Sequence, residues 1–478
     1  MKSLLILILI LILACSGIKI EDSNYIAKVN NHSISFEEFI KRAEYTIRPH
    51  FCNGNSYQDK QIILNNLILE KLISDSLKRV STELSKNEKN FVNGRINQAM
   101  RQKLYENIVT NQFKIDSSKI LSNINIMGRE YELSYIQLPG SNDKINDMFK
   151  FWETDSILNN KFPDINIFSK QLKWNEYEKI EILDSLYRPE ISKNQIVGPF
   201  PIGKFSMYIK VEGWIDRPSI TDGENKFRFK RYSDFLNKMN RETIYLEFIK
   251  DLMKGKDIFF NKKNFTKLIN YFGSKLKMNK DQIIDINKAN NQIISMFENN
   301  PEFDNKDILF EMGDENWTLN SFFKLVKTHP LVFRQKRLKK KEFANQLKLA
   351  IGDLIRDYYL TLEAKLKKIE QDQFVISEQT LWTNYFYTQS FLKNKFPNAK
   401  SSNNWLENEI FQEEMDQIIF KNRKNILVNW LYLEKINLTE IPLHATYPNE
   451  AYPNVTAEIL PITKSAIDSA LINQNQFN

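Results

Sequence analysis

Few side chains in this sequence have the type and spacing that catalysis or metal binding requires. His50 and Cys52 are two residues apart in RPHFCNGN, and a His beside a Cys can activate a thiolate nucleophile. No acid or second base motif accompanies them, so a small buried hydrophobic residue is the stronger interpretation of Cys52. The chain has four His and two Cys. We therefore expect no metal site and no internal disulfide framework.

Motifs for nucleotide and hydrolase chemistry are also missing from the sequence. Only 13 Gly occur in 478 residues, and neither GxGxxG nor GxxxxGK[ST] is present. HExxH, GxSxG and paired CxxC are absent as well. We therefore expect no bound cofactor.

The first fifteen residues, MKSLLILILILILAC, read as an export signal. One Lys precedes an apolar run at 4–13, and a small residue precedes Cys15. The run is shorter than the about 20 residues that span a bilayer. Residues 12–15 resemble a bacterial lipobox, which implies acylation of Cys15, while an ordinary cleaved signal or an uncleaved anchor stays open. We expect a lipid-anchored envelope protein, at the outer membrane and facing the periplasm.

Composition predicts packed domains rather than disorder, because 42% of residues are hydrophobic and 33 are Phe. The net charge of +8 comes mostly from Lys interleaved with acidic residues, as on solvated helix faces. One basic cluster, RQKRLKKK at 334–341, indicates an exposed helix start or a contact with anionic lipid or an acidic partner. We expect no nucleic-acid partner.

The first predicted unit starts with a strand at 25–29, a turn at Asn30 and Asn31, and a return strand at 33–35. Ser35 and Glu38 have the spacing of a capping box, which predicts a helix from Phe36. A long helix with one broad apolar face follows over 59–80, and more helix continues to about residue 113.

This order resembles the N-terminal region of exported foldases of the SurA and PrsA type. The phrases that carry the resemblance are VNNHSISFEEF at 29–39 and LILEKLI at 67–73. Residues 129–218 are in turn similar in order and length to a parvulin domain, the peptidyl-prolyl isomerase (PpiC-type) module of such foldases. The segment ISKNQIVGP at 191–199, followed by the strand that ends in IKV at 209–211, matches best. Helices are expected at 142–158 and at 165–172.

The parvulin resemblance implies a small antiparallel sheet with two His side chains beneath the prolyl bond. The aligned positions here are Tyr135 and Met207, which cannot act as a pair of imidazoles. We therefore expect an isomerase-like domain without efficient catalysis, so that enzymatic activity stays open and no catalytic residue is assigned. A cleft lined by Tyr135, Trp174 and Met207 is the candidate peptide-binding site, and ordinary core positions are the alternative.

The second half of the chain echoes the first. DILFEMGDENWTLNSFFKLV at 307–326 has the same plan of two strands and a capped helix, with Thr318 as the expected N-cap. After residue 442, prolines and a repeated YPN interrupt any helix. The expected fold class is α+β, with mainly helical modules and one inserted sheet domain. The predicted segments are a signal and tether (1–20), a helical foldase-like module (21–125), a parvulin-like domain (126–218), return helices (219–300), a second helical module (301–442) and an extended tail (443–478).

Two classes of function fit these expectations. The first is a membrane-anchored foldase-like chaperone that binds unfolded or proline-containing clients. The second is a structural accessory lipoprotein that is held permanently in an outer-membrane or secretion assembly. A chaperone should suppress aggregation of unrelated proteins, whereas an accessory subunit should copurify with one partner in fixed ratio.

Overall fold

The chain folds into two compact units, seen in a computed structural model. The first unit contains the described residues up to Leu104 and those from Leu252 onward, and the inserted unit is Tyr105–Asp251. The structure describes residues 25–80, 83–112, 120–121, 124–139, 149, 152, 154–174, 178–202, 205–276, 283–285, 306–397, 404–447 and 449–472. The first unit is thus built from two stretches of sequence that flank the second.

The first unit begins with the expected hairpin and capped helix. Strands β1 (Tyr25–Val29) and β2 (His32–Ser35) pair antiparallel across a turn in which Asn30 has a positive φ of 52°. Helix α1 (Phe36–Glu44) starts where Ser35 Oγ accepts a hydrogen bond from Glu38 N at 3.0 Å. The Glu38 carboxylate contacts Lys71 Nζ at 2.9 Å. The cap therefore also ties the start of α1 to the next helix.

Helix α2 (Tyr57–Arg79) is the centre of the first core. Ser56 and Asp59 form a full capping box at its start, and most residues from Lys60 to Ser74 are buried. Helix α3 is Lys86–Gln112, and α2 packs against a helix from the far end of the sequence, Gln373–Lys395. Burial on nearly all sides explains why the apolar positions of α2 do not form a narrow stripe.

A second core in the first unit lies between the elements that follow Leu252. Its strands are β7 (Ile258–Phe260), β8 (Ile284–Asp285), β9 (Ile308–Met312), β10 (Glu315–Thr318) and β11 (Arg337–Leu338). Its helices are α7 (Lys262–Lys275), α8 (Leu319–Thr328) and α9 (Lys340–Leu366). Thr318 caps α8 as predicted, with its Oγ1 accepting from Ser321 N at 3.2 Å.

The chain then returns to the first core. Helix α10 is the partner of α2 at Gln373–Lys395, and it is followed by α11 (Glu409–Asn422), β12 (Ile426–Val428) and α12 (Trp430–Lys435). Strand β12 pairs antiparallel with β1 and completes a sheet of order β12-β1-β2. Residues from the two ends of the sequence therefore share one hydrophobic core.

The C-terminal segment, defined as residues 449–472, docks on this core without helix or strand. Its backbone is bound by side chains of the helices: Asn66 donates to Thr463 O at 3.0 Å and accepts from Thr463 N at 2.9 Å. Arg95 donates to the carbonyls of Tyr452 and Asn454, both at 3.0 Å. Its apolar side chains are buried beside them, including Ala457, Ile459, Leu460, Ile462, Ile467 and Ile472.

The inserted unit is organised by a four-stranded antiparallel sheet of order β4-β3-β6-β5. The strands are β3 (Arg129–Pro139), β4 (Phe168–Lys173), β5 (Ile196–Ile202) and β6 (Phe205–Asp216). The helices are α4 (Asp155–Lys161), α5 (Ile180–Leu186) and α6 (Asp222–Leu252). The helix expected at 165–172 was wrong, because most of that stretch is strand β4, paired with β3.

Each face of this sheet carries its own core. One face holds Tyr131, Leu133 and Val211, covered by Leu183 and Leu186 of α5. The opposite face holds Ile136, Leu138 and Tyr208, covered by Trp152 and Leu158. The alternation of buried side chains along β3 produces this division.

The predicted fold class is confirmed at the level of α+β, with helices and small antiparallel sheets. No helix in the described part of the chain is long and apolar enough to cross a membrane.

Candidate binding face of the sheet

The two positions aligned with the parvulin histidines lie side by side on the sheet. Tyr135 pairs with Ile209 in the register of β3 and β6, and Met207 pairs with Gln137. The two residues are therefore diagonal neighbours across adjacent strands, with both side chains packed on the core beneath α5. Residues placed in this way lie within reach of each other's side chains.

Two exposed aromatic residues extend this region to the end of the sheet. The ring of Phe168 on β4 stacks on Tyr135, with centroids 5.2 Å apart and planes at 24°. Phe205 is two residues before Met207 on β6, so its side chain projects from the same face of the sheet. Phe168 and Phe205 are 45% and 47% exposed, whereas Met207 is 8% exposed. We call Tyr135, Phe168, Phe205 and Met207 the apolar face.

Polar groups lie at the edge of the apolar face. Lys170 on β4 pairs with Glu178, and Lys179 donates to the carbonyl oxygen of Pro201. The exposed Gln137 pairs with Met207 on the same face, so apolar and polar side chains are mixed there, as on many surfaces that bind other polypeptides.

Strand β5 is irregular at Gly198, where its backbone passes close to Met207. Gly198 has a φ of 121°, and a Cβ there would lie 2.7 Å from the carbonyl oxygen of Met207. The pairing of β5 with β6 shifts between Val197 and Phe200, where Phe200 pairs with Met207. A larger residue at Gly198 would force this part of β5 away from Met207.

Trp174 lies away from the apolar face. Trp174 directly follows Lys173, which pairs with Glu130 at one end of β4, whereas Tyr135 pairs with Phe168 at the opposite end. Its ring packs edge-on against Tyr187 and Phe235, each with centroids 4.8 Å away. Tyr135, Trp174 and Met207 thus contact one core, but only Tyr135 and Met207 belong to the same part of the surface.

Cys52 has the environment of a structural residue. It is buried, its Sγ lies 3.6 Å from the carbonyl oxygen of Pro49, and burial raises the pKa of the thiol to about 12. A thiol with so high a pKa is a poor nucleophile at neutral pH. His50 packs edge-on against Phe51 instead. Cys15, the predicted site of acylation, lies outside the described residues.

The sequence indicated Tyr135 and Met207, but not the aromatic pair Phe168 and Phe205. The pattern FSKQLK that contains Phe168 is mostly polar, and its pairing with β3 depends on contacts distant in sequence. The alternation of β6 could have placed Phe205 on the face of Met207, had the strand been extended by two residues.

Comparison with known proteins gives no assignment. No family model and no curated protein matches this chain. Across the residues that the structure describes, no group of three or more His, Cys, Asp or Glu side chains is arranged to hold a metal ion.

Proposed function

We propose that this chain is a lipid-anchored foldase-like chaperone of the cell envelope, whose inserted unit is a parvulin-like domain that binds polypeptide without efficient prolyl isomerisation. The observation that carries this proposal is the placement of Tyr135 and Met207. They occupy adjacent strands and the same face, where the resemblance requires the two His side chains.

The division of the chain is a second support. Foldases of this type insert the isomerase module between helical segments, and here residues 105–251 interrupt the first unit. The hairpin and capped helix at β1, β2 and α1 have a counterpart in β9, β10 and α8. We interpret these as two related helical modules.

The apolar face suits weak binding of varied, extended segments. Burial of an aromatic side chain contributes roughly 2 kcal/mol when complete, and Phe168 and Phe205 are each about half exposed in the free protein. We therefore expect each to contribute about 1 kcal/mol to binding of a client. That is enough for transient capture, and a chaperone must also release what it binds.

Isomerase catalysis of the usual kind has no chemical basis at this face. Rotation about an X–Pro bond must overcome roughly 18–20 kcal/mol, and paired imidazoles are the groups that the parvulin resemblance would supply. A phenol and a thioether replace them at Tyr135 and Met207.

The first test is aggregation of unrelated unfolded proteins, followed by light scattering with the purified full chain. We expect suppression, and a Phe168→Ala and Phe205→Ala double variant should need several times more protein for the same effect. Phe259→Ala is the control, because Phe259 is 66% exposed and lies on β7 of the first unit. Equal activity of the double variant would refute the role of the apolar face.

A second experiment separates the chaperone from the accessory subunit. The lipidated chain is captured from its native envelope under mild conditions. Many substoichiometric proteins are expected for a chaperone, whereas one partner at fixed ratio, with no suppression of aggregation, would replace our proposal with the accessory lipoprotein.

Isomerase activity is measured with a protease-coupled assay on prolyl peptides. We expect no acceleration above background. Acceleration that Tyr135→Phe or Met207→Leu abolishes would contradict the proposed loss of catalysis.

A further inference from the structure

The C-terminal segment is bound by the first unit in the way that a groove binds an extended peptide. Residues 449–472 form neither helix nor strand. Side chains from α1, α2, α3 and α11 approach the segment and hydrogen-bond to its main chain. We call the site formed by these side chains the groove, and its members are Arg42, Asn65, Asn66, Arg95 and Gln412.

Asn66 makes the contacts that are most specific for a peptide backbone. Its Oδ1 accepts from the N–H groups of Ile462 and Thr463 at 2.6 and 2.9 Å, and its Nδ2 donates to Thr463 O at 3.0 Å. The side chain of Asn66 is itself buried, at 1% exposure. One amide thus binds both donors and acceptors of the main chain, whatever side chains are attached there.

The other members of the groove extend this pattern along the segment. Each donates a hydrogen bond to a main-chain carbonyl oxygen. The pairs are Arg95 with Tyr452 O and Asn454 O (both 3.0 Å), Arg42 with Glu458 O (2.7 Å), Gln412 with Ile462 O (3.1 Å) and Asn65 with Ser465 O (2.9 Å). Main-chain contacts of this kind place few demands on the sequence that is bound, as in the recognition of extended peptides.

Apolar side chains of the segment supply the remaining contacts. Ile459, Ile462 and Ile467 are 3%, 0% and 2% exposed and join the first core. Glu458 and Lys464, which lie between or beside them in sequence, are exposed. The groove therefore selects for a few apolar positions at a fixed spacing, and the positions between them can carry other residues.

The chain that leads into the segment is exposed. Ile441 and Leu443 are 77% and 61% exposed. Helix α12, which ends at Lys435, is the last helix or strand in the part of the chain that the structure describes. The segment can therefore leave the groove without the unfolding of a helix or strand.

We propose that the groove is a second polypeptide-binding site, and that the C-terminal segment is its resident ligand, which an extended segment of a client displaces. This inference rests on the proposed function, because it assigns a further site to the clients of the chain. The C-terminal segment then acts as an internal competitor. It lowers the apparent affinity for a client in proportion to the small fraction of molecules whose groove is empty.

The first experiment uses the full chain without substitution. The probe is a synthetic peptide of the same length as the C-terminal segment, which keeps its buried residues and replaces its exposed ones. It is added at about 1 mM, on the order of the effective concentration of a tethered segment. Hydrogen exchange with mass spectrometry should show several-fold faster exchange at Ile462 and Thr463. A probe that is N-methylated at these two positions cannot donate to Asn66 and should leave exchange unchanged.

The second experiment weakens the segment and leaves the groove intact. In Ile462→Ala, the full chain should bind the labelled probe about tenfold tighter or more, measured by fluorescence anisotropy, because removal of a buried Ile side chain weakens docking by at least that factor. Ile351→Ala is the matched control. Ile351 is also 0% exposed, but it lies on α9 in the second core, so its loss should bring no gain in binding.

The outcomes separate this inference from the proposed function. Unchanged exchange at Ile462 and Thr463 in the presence of the probe would overturn the inference, whether or not Ile462→Ala folds. Equal gains in Ile462→Ala and Ile351→Ala would overturn it too, because the probe would then bind exposed core. Either result, with suppression of aggregation intact, leaves the chaperone proposal standing. Displacement of the segment in a chain that does not suppress aggregation would support the groove and refute the chaperone.

Discussion

We expect substitution by Ala to have opposite effects on stability at two helical glycines. Gly94 lies within α3, where an added Cβ would be 2.1 Å from Tyr452 Oη and 2.4 Å from the carbonyl oxygen of Thr328. Gly352 lies within α9, where an added Cβ would have no neighbour within 4 Å. Gly94 is thus a position at which the C-terminal segment passes close to a helix.

The sizes of the opposing free-energy contributions decide whether Ala stabilises or destabilises the protein at each position. Ala stabilises a helix interior by roughly 1 kcal/mol relative to Gly, so Gly352→Ala should raise the free energy of unfolding by about that amount. At Gly94 the same gain is opposed by overpacking of about 1–3 kcal/mol. Displacement of Tyr452 would also break its 3.1 Å hydrogen bond to Thr328 O, at a further cost of about 1 kcal/mol. Gly94→Ala should therefore destabilise the first unit by about 1–3 kcal/mol.

The assay must report on one unit at a time, because a chain with two compact units need not unfold in a single step. Amide hydrogen exchange with mass spectrometry meets this need. Gly94→Ala should accelerate exchange in the C-terminal segment, around Tyr452, and leave the inserted unit unchanged. Gly352→Ala should slow exchange in the first unit or leave it as it is.

The reasoning would be refuted if Gly94→Ala raised the protection of amides around Tyr452 from exchange by as much as Gly352→Ala does. It would mean that the segment moves aside without cost, and that its docking contributes little to the stability of the first core.

Three further predictions concern buried polar groups. Arg42 makes a bidentate pair with Glu70, which is 2% exposed, at 2.9 and 2.8 Å. Arg42→Met should lower the free energy of unfolding, measured by urea titration, by about 3–5 kcal/mol, and adding Glu70→Leu should recover most of that loss. Additive losses from the two substitutions would contradict this prediction. Cys52 should resist alkylation by iodoacetamide at pH 8 until the chain unfolds, and rapid labelling of the native protein would show that the thiol is accessible. Burial lowers the pKa of His329, which contacts Asp357 at 3.0 Å. The unfolded chain then binds a proton more readily, so stability should fall as pH drops below about 6.5, and His329→Phe should flatten that part of the profile.

The parts of the fold that depend on local interactions were predictable from the sequence. The turn at Asn30, the hydroxyl cap of Ser35 and the cap of Thr318 each involve residues within four positions of one another. The apolar pattern over 59–80 likewise predicted α2. What the pattern could not reveal is that the Glu38 carboxylate contacts Lys71, on another helix.

Strand β4 shows why a weak local pattern predicts the wrong element. Of its residues only Leu172 is buried, because β4 lies at the edge of the sheet. The stretch has neither clear alternation nor a helical stripe, so pairing with β3 decides its conformation. The Tyr135–Phe168 stack, and with it half of the apolar face, follows from that pairing.

The docking of the C-terminal segment could not be predicted either. Its prolines correctly excluded a helix, but its position depends on contacts such as Asn66 with Thr463, 397 residues apart. The helices hydrogen-bond to its backbone and its apolar side chains join the first core, but its own sequence does not indicate which surface it packs against. Proline suits such a segment, because a proline carbonyl can still accept a hydrogen bond. Trp405 donates one to Pro461 O at 2.7 Å.

The backbone explains how the face that we propose to bind polypeptide can keep its shape without His at positions 135 and 207. The relative positions of Tyr135 and Met207 are fixed by the backbone ladder between β3 and β6, and by the close approach of Gly198 to Met207 O. Neither constraint requires a particular side chain at 135 or 207. Chemistry at these two positions can therefore change while the shape of the face is kept, so a peptide-binding role makes no demand for isomerase activity. If Gly198→Ala, which strains only the backbone, weakened client capture as much as the Phe168→Ala and Phe205→Ala double variant, the shape of the face would be shown to matter independently of its side chains.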